Sequence, residues 1–508
     1  MPLVFRGDRT GPRRVAAVRR FFCFFCVFDW TFGASICDYL GDGPVSQAQS
    51  ATTLDGGDLS PASLNGILDL YCQAVPEEFF QQLRKDLGLT SRRRIFGLPL
   101  VIWLMMVQRL DSKATLSTSV QQVVQQRPSV LLSDHKRLRE STVSGHTGAY
   151  SDARKKMPLE AAEKVADRVF THLSELPRRQ ALPGWDRRVF MLDGTSVELA
   201  HTPLLVEAYP PARNQHGELH WPVLRVLVAQ ELTTALAERP CWGPMYGPQA
   251  VSEQALTERI LDRLAPSSVL MGDINFGVFS VAFAAARRGH DVLFRLQPSR
   301  AGVVGRGLPM QSGTDREVVW RPSPHDRKQH PDLPEDACVR GRFIVQQVQA
   351  SNGESVLLYL FTTLDLKVEE ILKLYGCRWN VETDLRSLKQ TLRLNILRCQ
   401  SPDMIAKELV LGITGHNLVR AVMQAAAEQT QQDPRRLSFS RCQDVVNAAL
   451  PGLDMAPTQA EYQSRLRRMF QLVASCKLPD RSKRSSTPRA LWGHSAKFPK
   501  RKRVSSKP

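Results

Sequence analysis

Tyr375, Arg378, Glu382 and Lys389 follow one another at intervals of three, four and seven residues. At about 100° per helical residue, all four fall within about 60° on one stripe of a helix. Leu374, Val381, Leu385, Leu388 and Leu392 make an apolar stripe on the same wheel. The polar stripe borders the buried one, which puts it at the edge of a cleft rather than on the open back of the helix. A carboxylate there can hold a divalent cation, while two cations and a phenol hold phosphate oxygens; that chemistry is phosphodiester cleavage or transfer. A salt-bridged helix with Arg378 and Glu382 paired at i, i+4 fits the spacing equally well.

Two further carboxylates shift the balance. Asp193 follows the apolar run Val189-Phe190-Met191-Leu192, and Asp273 follows Val269-Leu270-Met271-Gly272. Short continuous apolar runs are expected of strands buried on both faces. Ligands of α/β sheets gather at the carboxyl ends of such strands, so these two could meet Glu382 in one site. Either aspartate alone would more commonly serve as an N-cap or turn residue. Three converging carboxylates repel unless cations neutralise them, and hard oxygen ligands favour Mg²⁺ or Mn²⁺.

The elements that must position these residues are partly legible. Val223–Val228 and Val292–Leu296 read as further strands and 276–288 as a helix, an alternation that implies α/β layers. Residues 298–338 are rich in Pro, Gly and charge and precede two strand candidates, Arg342–Gln349 and Ser355–Thr362. This predicts a β-rich or loop-rich insertion over about 298–350 that leaves the main core. The helix carrying Glu382 is predicted over 368–392, with helical segments at 402–427 and 457–475.

Upstream, 67–180 reads as helical, from the start at Pro76-Glu77-Glu78 through the apolar stretch Leu98–Leu110 to 147–156. The last of these carries Arg154, Lys155 and Lys156, so the region is either a DNA-end reader or a plain bundle with solvated cations. The catalytic unit is expected over 185–430 and a helical C-terminal segment over 431–476. Residues 1–66, an extension and linker, and the basic tail 477–508 are expected to be poorly ordered.

Composition narrows the partner. Lys and Arg exceed Asp and Glu by 68 − 50 = 18, a field that draws polyanions. The ten cysteines are scattered, with one CxxC at Cys23 and Cys26 and no second pair. That argues against a disulfide scaffold or a zinc site and for a reducing, cytoplasmic setting. The run Phe21–Phe28 after four arginines resembles a signal peptide but is short and ends at Asp29. No uncharged apolar stretch is long enough to span a bilayer, so no membrane partner is expected.

The pattern Tyr375-x2-Arg378-x3-Glu382-x6-Lys389 resembles the YREK signature of the IS4-family DDE transposases in residue type and spacing, and 371–420 resembles that family's core block. Met191-Leu192-Asp193-Gly194-Thr195 is similar to its first Asp motif. Met271-Gly272-Asp273-Ile274-Asn275-Phe276 is similar to its second, with Ile274-Asn275 where the family often has Arg-Gly. The resemblance implies an RNase H-like catalytic core with a β-rich insertion, preceded by the all-helical N-terminal domain.

By position, it implies Asp193, Asp273 and Glu382 as catalytic ligands of two Mg²⁺ or Mn²⁺ ions, and Tyr375, Arg378 and Lys389 as contacts to transposon-end phosphates. Trp320 becomes a candidate for trapping a flipped base, although packing is the commoner role of such a residue. The implied reaction is cutting at terminal inverted repeats and strand transfer into target DNA, by a homodimer in a synaptic complex at the nucleoid. A transposase-derived DNA-binding protein without activity, or an RNase H-like nuclease, would carry the same residues. A phosphatase of the haloacid-dehalogenase type, suggested by Asp193-Gly194-Thr195, fails because Met191 stands where its nucleophilic aspartate must be.

Overall fold

The computed structural model describes residues 64–89, 94–111, 113–214, 217–349, 355–378 and 397–479. It begins with helices α1 (Ile67–Ala74), α2 (Glu77–Asp86), α3 (Leu98–Leu110), α4 (Leu116–Val124), α5 (Lys136–Arg139), α6 (Gly148–Lys156) and α7 (Leu159–Ser174). α3 is apolar on all sides and almost wholly buried, as expected of a helix that other helices enclose.

β1 (Val189–Glu198) then opens the sheet, followed by α8 (Pro203–Ala208), β2 (Pro211–Asn214), β3 (Gly217–Glu231) and β4 (Cys241–Pro244). The chain continues through α9 (Glu253–Leu261), β5 (Val269–Gly272), α10 (Phe279–Arg287), β6 (Asp291–Arg295) and α11 (Pro298–Val304). Next come β7 (Thr314–Trp320), α12 (Pro324–Gln329), β8 (Val339–Gln349), β9 (Ser355–Thr362) and α13 (Val368–Gly376). Beyond residue 396 lie α14 (Pro402–Gln429), α15 (Phe439–Asp454) and α16 (Gln459–Ser475).

The described strands form one mixed sheet in the order β2-β3-β1-β5-β6-β9-β8-β7, with β4 also on β3. β1 pairs antiparallel with β3 and parallel with β5, which pairs parallel with β6. The parallel strands are the apolar runs seen in the sequence, buried on both faces by α9, α10 and the helical layer.

Two expectations change here. β1 does not end at Asp193: β3 pairs with it as far as Glu198, because an antiparallel partner continues to satisfy its backbone after β5 has stopped. And the segment around 298–350 does not leave the core. β9 pairs with β6, β8 with β9 and β7 with β8, so these strands extend the main sheet. Pro and Gly mark its turns and α11 and α12, not an excursion.

The helices before residue 180 share one hydrophobic core with the sheet through α14. α3 and α7 pack along α14, and Arg109 of α3 meets Glu408 of α14 at 2.7 Å, both buried. Asn417 on α14 accepts from the backbone N–H of Ala237 and donates to its carbonyl, each at 2.8 Å. A side-chain amide thus completes the backbone pairing just beyond β3.

Candidate active site

β1 and β5 are in register at Met191 and Met271. Two residues farther along each chain stand Asp193 and Asp273, where the parallel pairing has ended. The two carboxylates are close enough to repel. Burial first, then Asp273 and Glu253, push the Asp193 pKa up to about 7, while Arg378 and the Gly194 N–H pull against that rise. Asp193 Oδ1 accepts from that N–H at 2.8 Å. Asp273 Oδ1 accepts from the Asn275 N–H at 2.8 Å, so the Asp273-Ile274-Asn275 turn holds its own aspartate in place.

Tyr375 lies on α13, which packs its apolar face inward through Ile371 and Leu374. The tyrosine is only 8% exposed. Its hydroxyl has no hydrogen-bond partner at ordinary geometry. Burial pushes its pKa up to about 12, against the pull of the neighbouring Arg378 and Arg295 guanidiniums, and Asp273 adds to the rise. The protein therefore brings Asp193, Asp273, Tyr375 and Arg378 together in one half-buried, charged place.

α13 ends at Gly376, and Cys377 and Arg378 form a turn closed by i→i+3 bonds to Leu374 and Tyr375. The uninterrupted helix expected over 368–392 is thus broken between Tyr375 and Arg378. Glycine is among the weakest residues in a helix interior, and the wheel's phase cannot be carried across the turn. Glu382 and Lys389 lie outside the described residues.

Trp320 is placed elsewhere. It is 3% exposed at the end of β7, with its ring edge-on to Phe279 (5.9 Å) and Phe361 (4.8 Å). A ring enclosed on those sides is a packing anchor, and this corrects its candidacy for capturing a base.

Two members of the site escaped sequence reading. Arg295 ends β6, and the strand-end argument used for the aspartates applies to it equally. Glu253 opens α9, where an acidic first-turn residue reads as an ordinary helix start.

Among the described residues, no group of three His, Cys, Asp or Glu side chains is arranged so that it could hold a metal ion. The donors present are nevertheless of the right kind. Asp193 and Asp273 offer hard oxygens, and the repulsion that lifts the Asp193 pKa is what a divalent cation relieves.

Residues 184–418 match the family described as "Transposase DDE domain". The chain is 25% identical over 434 residues to the transposase InsG for insertion sequence element IS4 of Escherichia coli (strain K12), spanning 84% of this chain and 91% of that protein. No described helix is long and apolar enough to cross a membrane.

Proposed function

This chain is a DDE transposase of the IS4 family, and from that premise we propose that Asp193, Asp273 and Glu382 form its catalytic centre and bind two Mg²⁺ or Mn²⁺ ions. The observation that carries this reading is the side-by-side placement of Asp193 and Asp273 at the end of the parallel pairing, with Arg378 and Tyr375 over them.

Divalent ions about 4 Å apart supply activation of a water or 3′-hydroxyl and stabilisation of the leaving oxygen. The chain's own residues do the rest. Asp193 and Asp273 fix the ligand oxygens on two rigid strands. Arg378, Tyr375 and Lys389 bind end phosphates, and the cationic surface draws the duplex in.

The central sheet reads as an RNase H-like core. Support comes from the order β4-β3-β1-β5-β6, antiparallel on one side of β1 and parallel on the other, with α9 and α10 as crossovers. β7 to β9, lying between Asp273 and Glu382, read as the family's β-rich insertion, here joined to the sheet. The helical region before residue 180 reads as the reader of the transposon ends, with Lys155 and Lys156 of α6 exposed. The protein acts as a homodimer holding two terminal repeats in a synaptic complex, at the nucleoid, and joins the freed ends to target DNA.

The test is single replacement by Asn or Gln. Asp193→Asn, Asp273→Asn and Glu382→Gln should each lower cleavage of an end-bearing duplex by more than about 10³-fold, the scale of losing transition-state charge stabilisation. End binding should be retained. Metal-dependent cleavage by any of the three would overturn the assignment. A wild-type protein that binds ends without ever cutting them would be a DNA-binding relic.

A further inference from the structure

The carboxylate of Glu253 lies directly on the backbone of β1 beside the first aspartate. A Cβ added to Gly194 would stand 2.1 Å from Glu253 Oε1 and 2.3 Å from its Cδ. Only a residue without a side chain lets this acid approach, and that residue is the direct neighbour of Asp193.

The first turn of α9 is held in this position from both sides. Ser252 caps it by accepting from the Ala255 N–H at 3.1 Å. Gln254 donates to the Asn275 carbonyl at 2.7 Å, on the turn whose N–H groups position Asp273. Adjacent residues of one helix thus address both aspartate loops. An acid recruited only for its favourable place at a helix N-terminus would gain by turning toward water. Glu253 instead turns over Gly194, where its charge adds to that of Asp193. In a protein without a cation that arrangement is a cost; with one it is a ligand set.

We propose that Glu253 is a fourth acidic residue of the catalytic centre, binding the divalent cation jointly with Asp193. This rests on the reading that Asp193, Asp273 and Glu382 hold the ions, and adds a ligand that the three-carboxylate pattern does not contain. Gly194 is its positioning residue, required for the approach rather than for a turn.

Mn²⁺ binding to the full chain without DNA, followed by titration calorimetry, tests this directly. Glu253→Gln should weaken Mn²⁺ binding by at least about tenfold, the lower end of what outer contacts to a metal site contribute. Glu253→Asp should restore part of it. Gly194→Ala, which keeps every carboxylate but fills the space of Glu253, should reproduce the loss. Melting in chelator supplies the readout that packing alone would not match: Glu253→Gln should melt at or above the wild-type temperature, because a like charge has been removed. Wild-type Mn²⁺ affinity in Glu253→Gln, alongside lost binding in Asp193→Asn, would overturn the role of Glu253 and leave the three-carboxylate reading standing. Undiminished binding in Asp193→Asn would overturn both. Weaker binding with a lowered melting temperature in chelator would make Glu253 a packing residue and sink the proposal.

Discussion

Asp193 and Asp273 face each other across neighbouring parallel strands, each two residues beyond the paired Met191 and Met271. Burial and the nearby carboxylates of Asp273 and Glu253 lift the Asp193 pKa from 3.8 to about 7. A carboxyl with a raised folded-state pKa favours the folded state most when protonated. In metal-free protein that stability is present at about pH 4 and is lost as the pH rises to about 7. Asp193→Asn should abolish this part of the pH dependence and be the more stable form at pH 8, by a few kcal/mol at roughly 1.4 kcal/mol per pK unit. Urea denaturation in chelator at pH 4, 6 and 8 measures it, and parallel pH curves for the two proteins would refute it. Mg²⁺ should stabilise the wild type more at pH 8 than at pH 6, since binding must displace that proton.

The Tyr375 hydroxyl is buried and without a partner. Tyr375→Phe removes an unsatisfied polar group and should leave the free protein as stable or about 1 kcal/mol more stable. If the hydroxyl meets an end phosphate, the same change should weaken end binding several-fold. Lys389→Ala should reduce the salt slope of binding by about one unit. Gel-shift titrations over a range of salt concentrations read both effects; undiminished binding by Tyr375→Phe and an unchanged slope for Lys389→Ala would remove these residues from the interface.

Glu408 accepts from Arg109 and also from the backbone N–H groups of Arg398 and Cys399. It ties α3 and α14 to the chain leaving the segment that contains Glu382. Glu408→Ala strands a buried guanidinium and should cost about 3–5 kcal/mol. Denaturation measures the loss; a cost under about 1 kcal/mol would mean that Arg109 finds water or another acceptor.

Trp320→Ala should destabilise the protein by about 3–5 kcal/mol through the cavity left against Phe279 and Phe361. Trp320→Phe should recover much of that stability together with activity. Retained stability with a specific loss of end processing would return Trp320 to the DNA.

The sequence by itself determined the chemistry-bearing residue types, the alternation of buried strands and helices, and the family. These depend on local periodicity and on short motifs, which are written along the chain. Only the tertiary structure decided how the strands are ordered. It kept β1 running past Asp193, because β3 pairs there after β5 has ended. It returned β7, β8 and β9 to the main sheet, since strand pairing joins residues whose separation no periodicity encodes. It buried Trp320, and it broke the helix of Tyr375 at Gly376. It also drew in Glu253, whose place on the helix marks only a helix start. Its importance arises from a contact with Gly194, 59 residues away in the chain (253 − 194), and such a contact exists only once α9 has folded back over β1.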